Sequence, residues 1–139
     1  MKKVTFVFYI LIILIFGCKQ QEINSWLLCP GYTLYINSVD DLALRSPQNE
    51  IIVNGNIEKC LFDDIFITVK ERPRFKIYKL YNLDKFKDTL SRNRAFDTID
   101  YYEFWIINRK ETINYGPFQK EEFIRKMKEL YVPGSLYIN

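Results

Sequence analysis

The sequence predicts an α+β fold: a small antiparallel β-sheet with a C-terminal helix and a second short helix packed on one face. Three observations predict it. Short runs of β-branched and aromatic residues recur between Gly, Pro, Asn and Asp turn signals. Two of those runs, Ile57–Phe62 and Ile65–Lys70, are separated by Asp63-Asp64 alone, the spacing of a tight hairpin. Near the C-terminus the period changes, and Phe123, Met127 and Leu130 form one apolar stripe at helical spacing. With 48% hydrophobic and 17% aromatic residues, the chain should fold rather than remain a disordered tether. It shows no internal repeat.

In chain order, Lys2 and Lys3 precede an apolar run from Val4 to Phe16, followed by Gly17-Cys18. A positive start, a short apolar stretch and a small residue have the anatomy of an export signal. The run falls short of the roughly 20 apolar residues needed to cross a bilayer. The expected organisation is a cleaved leader over 1–17, a polar tether over 18–24 and one α+β domain over 25–139. Pro30-Gly31 marks a turn before a strand at Tyr32–Ile36, and Leu42 and Leu44 alternate with polar neighbours as in a half-buried strand. Ile51–Val53 and Ile57 flank Asn54-Gly55-Asn56, a hairpin signal. Pro73 should end the strand that follows Asp63-Asp64. Phe75–Tyr81 reads as a further strand. Asn82 is the expected cap of a short helix carrying Leu83, Phe86 and Leu90 on one face, with loop over 91–98.

Tyr101–Ile107 is an aromatic, β-branched strand that turns at Asn108–Glu111 into Thr112–Tyr115, which Gly116-Pro117 should stop. The helix expected over 120–130 has acid-first pairs Glu121–Arg125 and Glu122–Lys126, and Gln119 with Glu122 echoes a capping box. Leu136-Tyr137-Ile138 is expected to return as an edge strand.

Removal of the leader takes Lys2 and Lys3, so the 20 basic residues fall to 18 against 17 acidic ones. A domain so near neutrality gives no case for nucleic acid as a partner. The chain has no histidine, which removes Ser-His and Cys-His pairs and the commonest metal ligand. It has no Gly-rich phosphate loop, and two cysteines so far apart do not make a zinc site. No catalytic residue, metal site or cofactor is therefore expected. Asp40-Asp41 and Asp63-Asp64 read as turn formers.

With Cys18 set aside, Cys29 and Cys60 are an even pair expected to form a disulfide in an exporting compartment, the alternative being two free buried thiols. Residues 70–94 hold nine basic side chains against Glu71, Asp84 and Asp88. Arg72, Arg74, Lys76, Tyr78 and Lys79 are the candidate contact surface here, for anionic lipid headgroups, glycan or an acidic partner. The alternative is a solvated face whose aromatics turn inward.

Ile15-Phe16-Gly17-Cys18 resembles the lipobox of bacterial lipoproteins. The resemblance implies that Cys18 carries diacylglyceryl and acyl groups as the mature first residue, and that the membrane is a partner through that lipid. Lys19 after the Cys leans the expected location toward the outer membrane, with the domain in the periplasm or at the cell surface. Over residues 29–138 the chain resembles a family of small bacterial lipoproteins of unknown function. Gly31-Tyr32, Asp63-Asp64, Trp105-Ile106-Ile107 and Tyr115-Gly116-Pro117-Phe118 followed by Glu121-Glu122-Phe123 carry that likeness. It implies a lipid-anchored domain and no assigned activity. Trp105, Gly116-Pro117-Phe118, Phe123 and Met127 are also similar to GYF modules, which bind proline-rich peptides. The expected function is a non-enzymatic binding or accessory module of the envelope, with an unidentified protein, peptide or glycan partner. An immunity or inhibitor protein against a toxin is the alternative.

Overall fold

Antiparallel neighbours joined by short turns build the first sheet. In a computed structural model that describes residues 25–37 and 41–139, β1 (Ser25–Cys29), β2 (Tyr32–Ile36), β3 (Leu42–Arg45) and β4 (Ile51–Val53) pair in sequence order. The leader, the tether, Cys18 and Asp40 lie outside the described residues. Gly31 makes the first turn with φ +83°, a conformation that favours glycine. The Ser46 hydroxyl accepts the Glu50 N–H at 3.1 Å in the turn before β4.

The hairpin expected at Asn54-Gly55 does not form. The chain passes there into a second sheet, β5 (Asn56–Phe62), β6 (Phe66–Arg72), β7 (Glu103–Asn108) and β8 (Ile113–Phe118), again paired in order. Val53 and Ile57 both enter one apolar cluster between the sheets, so the segment turns a corner rather than folding back. The Asp63 turn joins β5 to β6 as expected. One carboxylate oxygen of Asp63 accepts the N–H groups of Ile65 and Phe66 at 2.7 and 2.6 Å.

β6 is the middle of the molecule. Ile67 and Val69 face the first sheet with Leu44, Val53 and Ile107, while Phe66 packs on the opposite side with Phe104 and Ile106. A strand covered on both faces has no solvent-facing side, which explains its nearly continuous burial, Thr68, Glu71 and Arg72 included. Helix α3 (Lys120–Glu129, the third α-helix among the described residues) covers the far face of β7 with Phe123 and Met127, and Phe123 stacks on Phe104 at 5.0 Å. The result is sheet on sheet on helix, within the expected α+β class but with two sheets instead of one.

Four further expectations are corrected. Residues 75–81 are not a strand: Arg74–Leu80 form helix α1, because Pro73 cannot continue the ladder and Ile77 buries against Leu83 and Phe96. Asn82 precedes only a single 3-10 turn (Leu83–Lys85), in a left-handed conformation with φ 52° and without a side-chain cap bond, and the α-helix begins later, as α2 (Thr89–Asp97), where Asp88 accepts the Ser91 N–H at 2.7 Å. Residues expected as loop thus form α2, with Phe96 packed on Ile77 and Leu83. Gly116-Pro117 does not stop β8; the strand runs through a cis Gly116–Pro117 bond and a register shift opposite Phe104 and Ile106.

Leu136-Tyr137-Ile138 adds no edge strand. The tail crosses the helix-side face of the second sheet, where the Thr68 hydroxyl donates to the Leu136 carbonyl at 2.8 Å. On α3 the ion pairs are Glu122–Arg125 and Lys126–Glu129, three residues apart rather than four, and Gln119 makes no side-chain cap.

Candidate functional site: an acid pair at one end of the sheets

The strand registers sort the molecule into two ends. Pairings Ser25↔Tyr35, Ile36↔Leu42, Asn56↔Arg72, Glu71↔Glu103 and Phe104↔Phe118 place these residues at one end. The Pro30-Gly31, Ser46–Glu50, Asp63-Asp64 and Asn108–Ile113 turns lie at the other. The first end collects the buried charged groups Asp41, Glu71, Arg72 and Glu103. Asn37 reaches across it to Asn54 at 3.2 Å.

Glu71 on β6 and Glu103 on β7 are cross-strand partners, both only 4% exposed. Two carboxylates in direct opposition repel unless other groups hold them. Trp105 Nε1 donates to Glu71 at 2.5 Å, and the Gly55 N–H also donates to it. Lys76 from α1 is ion-paired and hydrogen-bonded to Glu103, which also accepts from the Tyr101 hydroxyl at 3.1 Å. Burial, opposed by the Trp105 hydrogen bond and assisted by Glu103, pushes Glu71 up to about 7. The bond to Glu103 holds Lys76 above its ordinary value. A Cβ at Gly55 would run into the Glu71 carboxylate and displace it.

Beside the pair, Arg74 Nε and Nη2 clamp Asp41, with a shortest contact of 2.7 Å, and Arg74 Nη1 donates to the Tyr78 hydroxyl at 3.3 Å. Asp41 is 2% exposed, so this ion pair ties the start of β3 to the start of α1 away from water. A cavity of about 340 Å³ opens between these groups, bordered by Asn54, Gly55, Pro73, Phe75 and Pro117. A carboxyl that titrates near neutrality beside a second carboxylate and an ammonium can take up or release a proton.

The expected contact surface divides. Arg72 is not at the surface: it is 8% exposed, donates to the carbonyls of Phe96 and Ile99 at 2.6 and 2.8 Å, and stacks on the Phe96 ring. Arg74 is engaged by Asp41. Tyr78 packs edge-on against Phe96 and donates to Asn93 at 3.4 Å. Lys76 remains half exposed while holding Glu103, and Lys79 is exposed. Asp41 sits in a turn as expected, its backbone bonded to Asn37 at 3.0 Å, but its side chain is a counter-ion to Arg74.

Cys29 and Cys60 come together in the apolar cluster between the sheets, as free thiols. Burial raises both, Cys60 to about 12, with Cys29 beside it adding to the shift. The residues similar to GYF modules do not share a surface. Trp105 packs toward the first sheet, whereas Phe123 and Met127 are buried under α3 on the opposite face. Among the described residues no three His, Cys, Asp or Glu side chains converge in the manner of a metal site.

Glu71, Glu103, Trp105 and Asp41 escaped the sequence reading as a site. Parity carried the missing signal: Glu71 shares the inward face of Ile67 and Val69, and Glu103 that of Trp105 and Ile107. An acid on the buried parity of a central strand needs partners, and that requirement marks the site.

No curated protein and no solved structure matches the chain. A family model, described as a protein of unknown function, matches residues 30–139, which among the described residues is both sheets from the first turn onward together with the three α-helices. The chain therefore belongs to that family, DUF3997.

Proposed function

We propose that this protein is a lipid-anchored component of a bacterial envelope, in which residues 25–139 act as a non-enzymatic binding or accessory module. The observation that carries this reading is the start of the chain: Lys2-Lys3, the apolar run to Phe16 and then Gly17-Cys18. Two acyl chains on one diacylglyceryl group give stable anchoring where a single chain is marginal. Among the described residues no helix is long and apolar enough to cross a membrane, so attachment by lipid is consistent with the fold. The non-enzymatic reading is supported by the acid pair itself. Trp105, Gly55, Lys76 and Tyr101 engage its carboxylates, and the contacts from Trp105 and Lys76 each tie two elements together. In the same compartment Cys29 and Cys60 are proposed to close into a disulfide.

Intact mass of the membrane-fraction protein tests the anchor. The expected product is residues 18–139 plus diacylglyceryl and acyl groups, lost in Cys18→Ser. An unmodified product in the soluble fraction would overturn the reading.

A further inference from the structure

The end of the molecule that receives the chain from Cys18 also presents an unusual helix. Ser25 pairs with Tyr35 and Tyr35 with Ala43, so the start of β1 lies two strands from the start of β3, about 10 Å away. Arg74, the first residue of α1, grips Asp41 immediately before β3. The entry point and α1 therefore share one end. The outward face of α1 joins Phe75 (69% exposed) and Leu80 (58% exposed) to Lys76 and Lys79, while Ile77 and Tyr78 turn inward. Tyr81 continues that face, 45% exposed.

We propose that this end docks on an anionic lipid surface, with the outward face of α1 as the contact; the inference rests on the anchor proposed above. Three arguments select lipid. The first is reach. Seven residue steps separate Cys18 from Ser25, and whatever their conformation they extend no further than about 25 Å. A lipid on Cys18 therefore holds this end within about 25 Å of the bilayer, with the far end of the five-residue β1 roughly 17 Å further along the strand.

The second argument is chemistry. Phe and Leu side chains offered to water beside lysines match an interface in which rings and alkyl groups enter the acyl boundary and ammonium groups meet phosphates. The third is area. One face of a seven-residue helix is far smaller than the roughly 800 Å² per partner of a specific protein complex. A docking face beside a lipid anchor needs no such area, because tethering makes the contact intramolecular.

The test uses the full lipidated protein, reconstituted into phosphatidylcholine vesicles with or without phosphatidylglycerol. Single cysteines are introduced as Lys79→Cys on α1 or Gln48→Cys in the exposed turn at the other end, and labelled with an environment-sensitive fluorophore. The unsubstituted protein is the blank for Cys29 and Cys60. Brominated lipids should quench the label at 79 several-fold more than that at 48 in anionic vesicles, and Phe75→Ser with Leu80→Ser should at least halve that quenching.

Equal quenching at the two positions in a protein carrying the lipid mass overturns the docking inference alone. A protein without that mass overturns the anchor reading instead. Quenching at 79 unchanged in pure phosphatidylcholine overturns the anionic preference. A photoprobe at 79 that crosslinks to a protein in intact cells, without lipid quenching, assigns the face to a protein and overturns the proposal.

Discussion

Glu71 illustrates how one side chain makes a fold sensitive to its medium. Buried opposite Glu103, it is raised from 4.5 to about 7, so the folded protein binds a proton in a range where the unfolded chain has released it. Stability must then fall as pH rises from about 4.5 through 7. A shift of this size corresponds to at most about 3 kcal/mol. Urea unfolding between pH 5 and 8 should show the slope, and Glu71→Gln should flatten it; an unchanged slope in the variant would assign the effect elsewhere. Asp41 is a buried carboxylate whose partner Arg74 comes from a different element. Removing one member leaves the other desolvated and unpaired, so Asp41→Asn should cost on the order of 2–4 kcal/mol. The double variant Asp41→Asn with Arg74→Met should recover part of that loss.

Helices and strands here are set by what they cover, and that explains which of them the sequence revealed. β6, β7 and α3 were legible because their periodicity and their burial agree. Phe123, at the centre of the stripe on α3, is fully buried against Phe104, and Phe123→Ala should cost about 3–5 kcal/mol by differential unfolding. α1 was not legible, because Phe75, Ile77 and Tyr78 are strand formers by composition and only tertiary burial of Ile77 selects the helix. β4 and β5 were each found, yet their relation was inverted. Asn54-Gly55 carries a hairpin signal, but two apolar strands that both need cover place it at a corner between sheets. The site was legible only in part: Arg74 and Lys76 were marked by charge, whereas Glu71, Glu103 and Asp41 required the pairing of the strands. β8 adds a backbone demand that composition does not announce. Gly116 sits at φ +132°, and a Cβ there would lie 2.8 Å from the Phe104 carbonyl and 3.0 Å from the Trp105 ring. Gly116→Ala should therefore destabilise by roughly 1–3 kcal/mol, and a neutral outcome would mean that β8 relaxes away from β7.

Across the whole molecule, the two sheets meet through one apolar cluster, and the cysteines sit where a bond would join them. Cys29 ends β1, an edge strand of the first sheet, and Cys60 lies in β5, an edge strand of the second. Closing a loop of about 30 residues would stabilise the fold by roughly 3–4 kcal/mol in the chain-entropy picture, less any strain. For a domain of this size that is a rise in Tm on the order of 10 °C. Reduction should remove the increment, and Cys60→Ala should make the melting temperature insensitive to reductant. Burial also governs how the pair must be assayed. A Cys60 thiol raised to about 12 holds little thiolate at neutral pH, so the reduced protein should alkylate slowly until denatured. Counting must therefore be done in denaturant. Protein taken from the envelope should gain two alkyl groups only after reduction. Two groups gained without reductant would show that the sheets are held by packing alone, with both cysteines serving as small apolar side chains in the cluster between them.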